Sequence, residues 1–364
     1  MNSRVFTISA LGAGIAILFA IAFIVRNPKD TPPTARNSAS TTTIPEISTP
    51  VAATAKSNDV FEDFLDRLQK RQVTPGQLLA FRKALLEGDP AIVIPAIRAF
   101  LATGKDVSTG LAFQLGEGGE LEGAPTLRLL LLDVLGQLSR KTRTADAASV
   151  SREILADKKS SDEWTIALRN LAWCEPQSRA FLASKFSEMI RYEPWRTQPS
   201  GGFLEAFDVA VFSGQVNVME PLNEALQAPQ PEMQRAAAMA LDRLAESAPL
   251  DVMQKLNSQP QMFADHPYLR ADWFAKADMR EPAQRAQFEV YLARPDVALS
   301  EKGKALKALA SPGQFISENL LTNPPSPTDD TAREAAVLAA ATDWYRRFPE
   351  LAAPLAILRE RLEP

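Results

Sequence analysis

Residues 231–249, PEMQRAAAMALDRLAESAP, decide how this chain folds. Gln230-Pro231 is a helix-opening signal, because proline is tolerated in the first turn of a helix, where its missing N–H has no partner to lose. Arg235 is followed by the small residues Ala236, Ala237 and Ala240, and then by Leu241 and Leu244. That spacing is helical, with no alternation of the strand kind. The small alanines let a neighbouring helix approach closely.

Outward from this segment the helical spacing continues almost everywhere from Asn58 onward. Val60, Phe61, Phe64, Leu65 and Leu68 form a first stripe with Asn58 or Asp59 as N-cap. Thr74-Pro75 opens a second helix, which Gly88 closes, and Asp89-Pro90 opens a third. Pro95 lies inside that third helix, AIVIPAIRAFLA, and predicts a kink or break. No apolar–polar alternation is long enough for a strand pair, so the reading is all-α.

The openings Gly88-Asp89-Pro90, Gly123-Ala124-Pro125, Ser161-Asp162, Gly201-Gly202 and Gln230-Pro231 recur at roughly 30 to 40 residues, the period of stacked helix pairs. Pro125–Lys141, PTLRLLLLDVLGQLSRK, repeats the pattern with Arg128, Leu131, Leu135 and Leu138. Together the two segments resemble HEAT-like repeats, most clearly in two units and more weakly in others between about residues 75 and 310. The resemblance implies an α-solenoid of antiparallel helix pairs over residues 58–322. Leu204–Phe212 and Trp164–Trp173 depart from it, with bulky aromatics at small-residue positions. An irregular helical bundle is the alternative architecture.

Both ends of the chain differ from this body. Asn323–Thr328 is a proline-rich break. After it, Asp329 or Asp330 caps a helix with Ala335, Ala336, Leu338, Ala339 and Trp344, and Pro349 starts a last one with Leu351, Leu355, Leu358 and Leu362. Residues 323–364 thus read as a C-terminal capping hairpin, with Arg346, Arg347, Arg359 and Arg361 for a polar outer face.

At the other end Val5–Val25, VFTISALGAGIAILFAIAFIV, holds no charged residue. About 21 residues at ~1.5 Å each make a helix of roughly 31 Å, the thickness of a bilayer's hydrocarbon core. Ala20-Ile21-Ala22 offers a signal-peptidase motif, but Phe23-Ile24-Val25 continues the apolar run past it. Residues 1–26 therefore read as an uncleaved transmembrane signal anchor, with the lipid bilayer as one partner. Residues 27–57 are rich in Pro, Ser, Thr and Ala and read as a disordered tether, reaching about 100 Å if fully extended. Arg4 precedes the apolar run, and Arg26, Lys29 and Arg36 follow it, which leans towards a cytoplasmic body. The very short N-terminal tail and the tether favour the opposite, a body on the periplasmic side of an inner membrane.

The composition excludes several classes of function. Lys and Arg number 40 against 44 Asp and Glu, and the longest basic cluster is Arg346-Arg347, which argues against a nucleic-acid partner. One cysteine and one histidine rule out an internal disulfide and a zinc site of several Cys and His ligands.

Individual candidates for chemistry are sparse. Gly116–Gly123, GEGGELEG, carries Glu117, Glu120 and Glu122, so it would repel phosphate, and its spacing is not that of an EF-hand. It reads as a long inter-helix loop. His266 has no orienting partner nearby and no Gly-x-Ser-x-Gly elbow to serve, and reads as a loop or helix-start residue. Cys174 reads as a buried small apolar residue. Glu62/Asp63/Asp66, Glu153/Asp157 and Asp329/Asp330/Glu334 read as charges at helix ends. Tyr192-Glu193-Pro194-Trp195-Arg196 flanks one acid with aromatics, and a hydrolase needs two. No residue is assigned a catalytic, cofactor-binding or metal-binding role. The expectation is a membrane-anchored scaffold or adaptor that binds another protein, with a carboxylate-dependent cell-wall hydrolase or lyase as the alternative.

Overall fold

The structure, a computed structural model, describes residues 61, 63–310, 319–322 and 330–363. The anchor 1–26, the tether 27–57, the Asn58/Asp59 cap and the break 323–329 lie outside the described residues. Among the described residues no helix is long and apolar enough to cross a membrane. Most of them are helical, as the all-α reading expects.

The expected capping chemistry starts several of the helices. Thr74 and Gln77 form a reciprocal capping box at α1 (Pro75–Glu87), and Gly88 is its C-cap. Asp89 accepts the Ala91 amide at the head of α2 (Pro90–Ala102). Of the kink or break expected at Pro95, the break does not occur: α2 runs through it. Ile94, Ala96 and Ile97 are buried around it, and their packing offsets the one backbone hydrogen bond that proline forfeits.

The described residues divide into two compact units. The first holds residues up to Leu111 together with Ala124–Asp146. Here the helical residues 63–69, α1 and α2 come together with α3 (Leu127–Thr142), on which both α1 and α2 pack. Phe64 and Phe81 stack at 4.0 Å, and Phe61 closes the cluster against Phe81 and Phe100. Arg128 donates to the Leu101 carbonyl at 2.7 Å, satisfying the C-terminal end of α2.

The second unit holds Ala112–Gly123 together with the residues from Ala147 onward. It begins with a correction. The glycine-rich stretch is a short antiparallel hairpin, with β1 (Gln114–Leu115) paired to β2 (Leu121–Gly123), in place of the plain loop that its sequence suggests. Strands this short carry no readable alternation, and Gly118 and Gly119 turn the chain at positive φ.

The helices that follow are α4 (Asp146–Ile154), α5 (Ser161–Cys174), α6 (Arg179–Ile190), α7 (Glu193–Thr197), α8 (Gly201–Glu205), α9 (Phe207–Ser213), α10 (Met219–Leu226), α11 (Pro231–Ser247), α12 (Pro249–Ser258), α13 (Pro267–Phe274), α14 (Pro282–Ala293), α15 (Leu299–Leu309), α16 (Asp330–Arg347) and α17 (Ala352–Leu362). Asp146 itself falls in the first unit. From α9 on, alternate helices pack on one another in the order α9, α11, α13, α15, α17, and α12 packs on α14 in the same way. The C-terminal hairpin α16–α17 belongs to this unit, and α17 packs on α15.

Polar contacts bind that series at a regular interval. Asp208–Arg243, Asp242–Lys276, Arg270–Glu301 and Asp272–Lys304 are ion pairs between residues 31 to 35 apart in sequence. The first three are buried. Arg191–Glu224, 33 apart, and the Asn257–Gln287 hydrogen bond, 30 apart, extend the interval to exposed and half-buried positions.

Candidate functional site

In the second unit α8, α9 and α11 build a cleft. Ser200 accepts the Phe203 amide and starts α8, whose last residue is Glu205. Asp208 follows in the first turn of α9. On α11, Glu232, Arg235, Met239 and Arg243 succeed one another at helical spacing and so share one face. Between these helices lies a cavity of about 240 Å³, walled by apolar residues such as Phe207, Val211 and Met239 and bordered by Asn319.

Beside the cleft, residues 319–322 form a short strap that bends at Leu320 and Leu321, and Asp208 holds it. Its Oδ2 accepts the amides of Leu321 at 2.6 Å and Thr322 at 2.9 Å. Its Oδ1 accepts Arg243 Nη1 at 2.9 Å and also the Thr322 hydroxyl, which in turn accepts from Arg243 Nη2. Asn319 Nδ2 closes the strap on itself by donating to the Thr322 carbonyl at 3.0 Å. Leu320 is fully buried.

The hairpin tip meets the strap from the other side. A Cβ built on Gly119 would stand 2.0 Å from the Leu320 carbonyl oxygen, and Gly119 also has φ +82°. Its own carbonyl accepts Arg169 Nη1 at 2.7 Å. Arg169 is buried, stacked 4.1 Å over the Trp173 ring. Gly119→Ala therefore adds left-handed strain to a backbone collision. It is expected to cost about 2–4 kcal/mol, read by chemical denaturation of the full chain.

Glu205 differs from Asp208. It is half-buried and has no hydrogen-bond or ion-pair partner among the described residues. Burial first, and then the negative charge of Asp208, push its carboxyl above the ordinary glutamate range. A carboxyl raised in the folded state holds its proton longer than in the unfolded chain. Stability therefore falls as pH rises from the ordinary glutamate range through the raised one. Glu205→Gln should raise the denaturation midpoint near neutral pH and leave it nearly unchanged around pH 4. A midpoint unaltered at neutral pH would show that Glu205 is not under this burden.

The residues singled out in the sequence do not converge on the cleft. His266 occupies the N-cap position of α13 without capping it through its side chain. Cys174 ends α5 and is partly exposed, a correction to the buried position expected of it, because the last turn of the helix leaves the packed face. Trp195 stands edge-on to Trp164 at 5.4 Å and to Tyr192 at 4.9 Å, so the Tyr192–Arg196 segment packs α7 onto α5. Asp66, Asp157, Glu153 and Glu334 are exposed, and the first two pair with Lys70 and Lys159. Glu62, Asp329 and Asp330 have side chains outside the described set.

Sequence reasoning misses Glu205, Asp208 and Arg243. The two acids lie within the aromatic-rich Leu204–Phe212 segment, which reads only as a departure from the repeat. Comparison of the chain with protein-family models, with curated protein sequences and with solved structures finds no match.

Proposed function

We propose that this chain is a membrane-anchored adaptor whose second unit is a HEAT-like α-solenoid that binds another protein. The observation that carries the reading is the run of ion pairs 31 to 35 residues apart, together with the alternate packing of α9, α11, α13, α15 and α17. A chain of repeated helix pairs generates such contacts, because equivalent positions in adjacent units face each other. Such stacks present long surfaces to partners and bind without catalytic side chains. The anchor rests on the apolar, charge-free run Val5–Val25, and the tether on residues 27–57. Their composition supports a body held at a distance from the bilayer, on its periplasmic side.

The binding reading is preferred to a carboxylate hydrolase because Asp208 has both oxygens engaged by Arg243 and the strap. A hydrolase would have to use Glu205 and Glu232 instead, in an apolar-walled cleft of about 240 Å³, smaller than the roughly 300–1,000 Å³ of small-molecule sites.

The test is protease accessibility of the tether in intact and permeabilised cells, combined with photo-crosslinking from exposed positions such as Tyr268 and Ile357. Cleavage once only the outer envelope is opened, with a discrete intermolecular adduct, is the expected result. Protection until the inner membrane is lysed would reverse the topology. The lack of adducts from every exposed position would overturn the adaptor reading.

A further inference from the structure

We infer that the cleft between α9 and α11 takes the side chain of a lysine or arginine from a protein partner, with the Glu205 carboxylate as its counter-ion. The inference deepens the adaptor reading and rests on it.

Size selects the class of occupant first. At about 240 Å³ the cleft is smaller than the roughly 300–1,000 Å³ of small-molecule sites and suits a single long side chain. Its walls come next. Phe207, Val211 and Met239 are apolar, which suits the methylene stem of a lysine or arginine but not a hydrated metal ion, which requires about six oxygen ligands.

Charge decides the head group. Arg243 is already matched by Asp208 and the Thr322 hydroxyl, so the floor of the cleft offers no unmatched cation to an anionic ligand. Glu205 faces the cavity without a partner among the described residues, and Glu232 adds a second acid from α11. Arg235, also on α11, is exposed at the rim, where solvent screens it. A neutral side chain would bury Glu205 further with nothing to pair it. A guanidinium or ammonium would pair it, and burial strengthens that pairing over a surface one. The strap adds a precedent: a carboxylate bordering this cleft, that of Asp208, already holds donor groups from a distant part of the chain.

The experiment places the photo-crosslinker p-benzoylphenylalanine at Met239, and separately at Ala236, in the full-length protein in its native membrane. The expected result is an intermolecular adduct whose partner peptide carries a lysine or arginine next to the linked residue. Glu205→Lys and the near-isosteric Glu205→Gln should each reduce the adduct about tenfold or more, and Glu205→Asp should retain part of it. Circular dichroism confirms that each variant is folded, and Glu205→Gln alone decides the outcome if Glu205→Lys does not fold. An adduct undiminished by Glu205→Gln, a partner peptide without a basic residue, or a link only to the same chain would overturn the inference. Intermolecular adducts from Tyr268 or Ile357 with none from Met239 or Ala236 would sink the cleft and leave the adaptor reading standing. Silence from all four positions would sink both.

Discussion

Replacing Asp208 with alanine is expected to destabilise the second unit by about 3–5 kcal/mol, the cost of leaving one member of a buried ion pair without its partner. Asp208 and Arg243 have side chains only 6% and 8% exposed, so water does little to replace the missing charge. The substitution also orphans the amides of Leu321 and Thr322, which are held by the same carboxylate. Asp208→Asn separates the two effects. It preserves shape, but its amide can turn only one oxygen towards two backbone donors and a guanidinium, so it should recover little. Chemical denaturation of the full chain gives the energy, and chymotrypsin cleavage after Leu320 or Leu321 reports whether the strap has left its seat. An unfolding free energy within about 0.5 kcal/mol of the parent would mean that the clamp contributes little.

Glu301→Ala should be of similar size, about 3–5 kcal/mol, for a related reason. Glu301 receives Arg270 through both oxygens at 2.8 Å, and the Tyr291 hydroxyl donates to it at 3.2 Å. Burial, and then the neighbouring Glu301 charge, push the Tyr291 phenol above its ordinary range, so it stays a donor at any working pH. Removing the carboxylate strands a guanidinium whose remaining anchor is the Pro260 carbonyl. The double variant Arg270→Met with Glu301→Leu should be less destabilised than Glu301→Ala alone, because no charge is then left in the interior. If the single and double variants lose equal stability, the damage lies in packing and not in charge.

How far the sequence can be read depends on whether the signal is local. Thr74-Pro75 and Asp89-Pro90 announce their helices because a capping side chain and the amide it accepts lie within three residues. Arg128 and Arg235 look equivalent in the sequence, yet one donates to the Leu101 carbonyl and the other lies at the rim of the cleft. Pattern fixes the face that a side chain is on, but not what stands opposite. The ion pairs are invisible for the same reason, since partners more than thirty residues apart leave no short-range trace. The hairpin escapes because Leu115 and Leu121 are too few to show a period of two. Glu205 and Asp208 escape because nothing around them in the sequence says that they are partly or wholly buried. The approach of α11, and for Asp208 of the strap as well, makes them so.

The contact between Gly119 and Leu320 sets a condition on the order in which the chain acquires its form. Helices that touch only near neighbours in sequence can assemble as they leave the ribosome, each on the one before it. The hairpin has to wait, because its counterpart lies some two hundred residues downstream. Until Leu320 is synthesised, Gly119 faces an empty seat and Arg169 has one fewer fixed neighbour. A nascent chain truncated before residue 320 would therefore carry the helices up to α15 but not the closure. Completion of the second unit is a late, long-range event superimposed on a mostly local build.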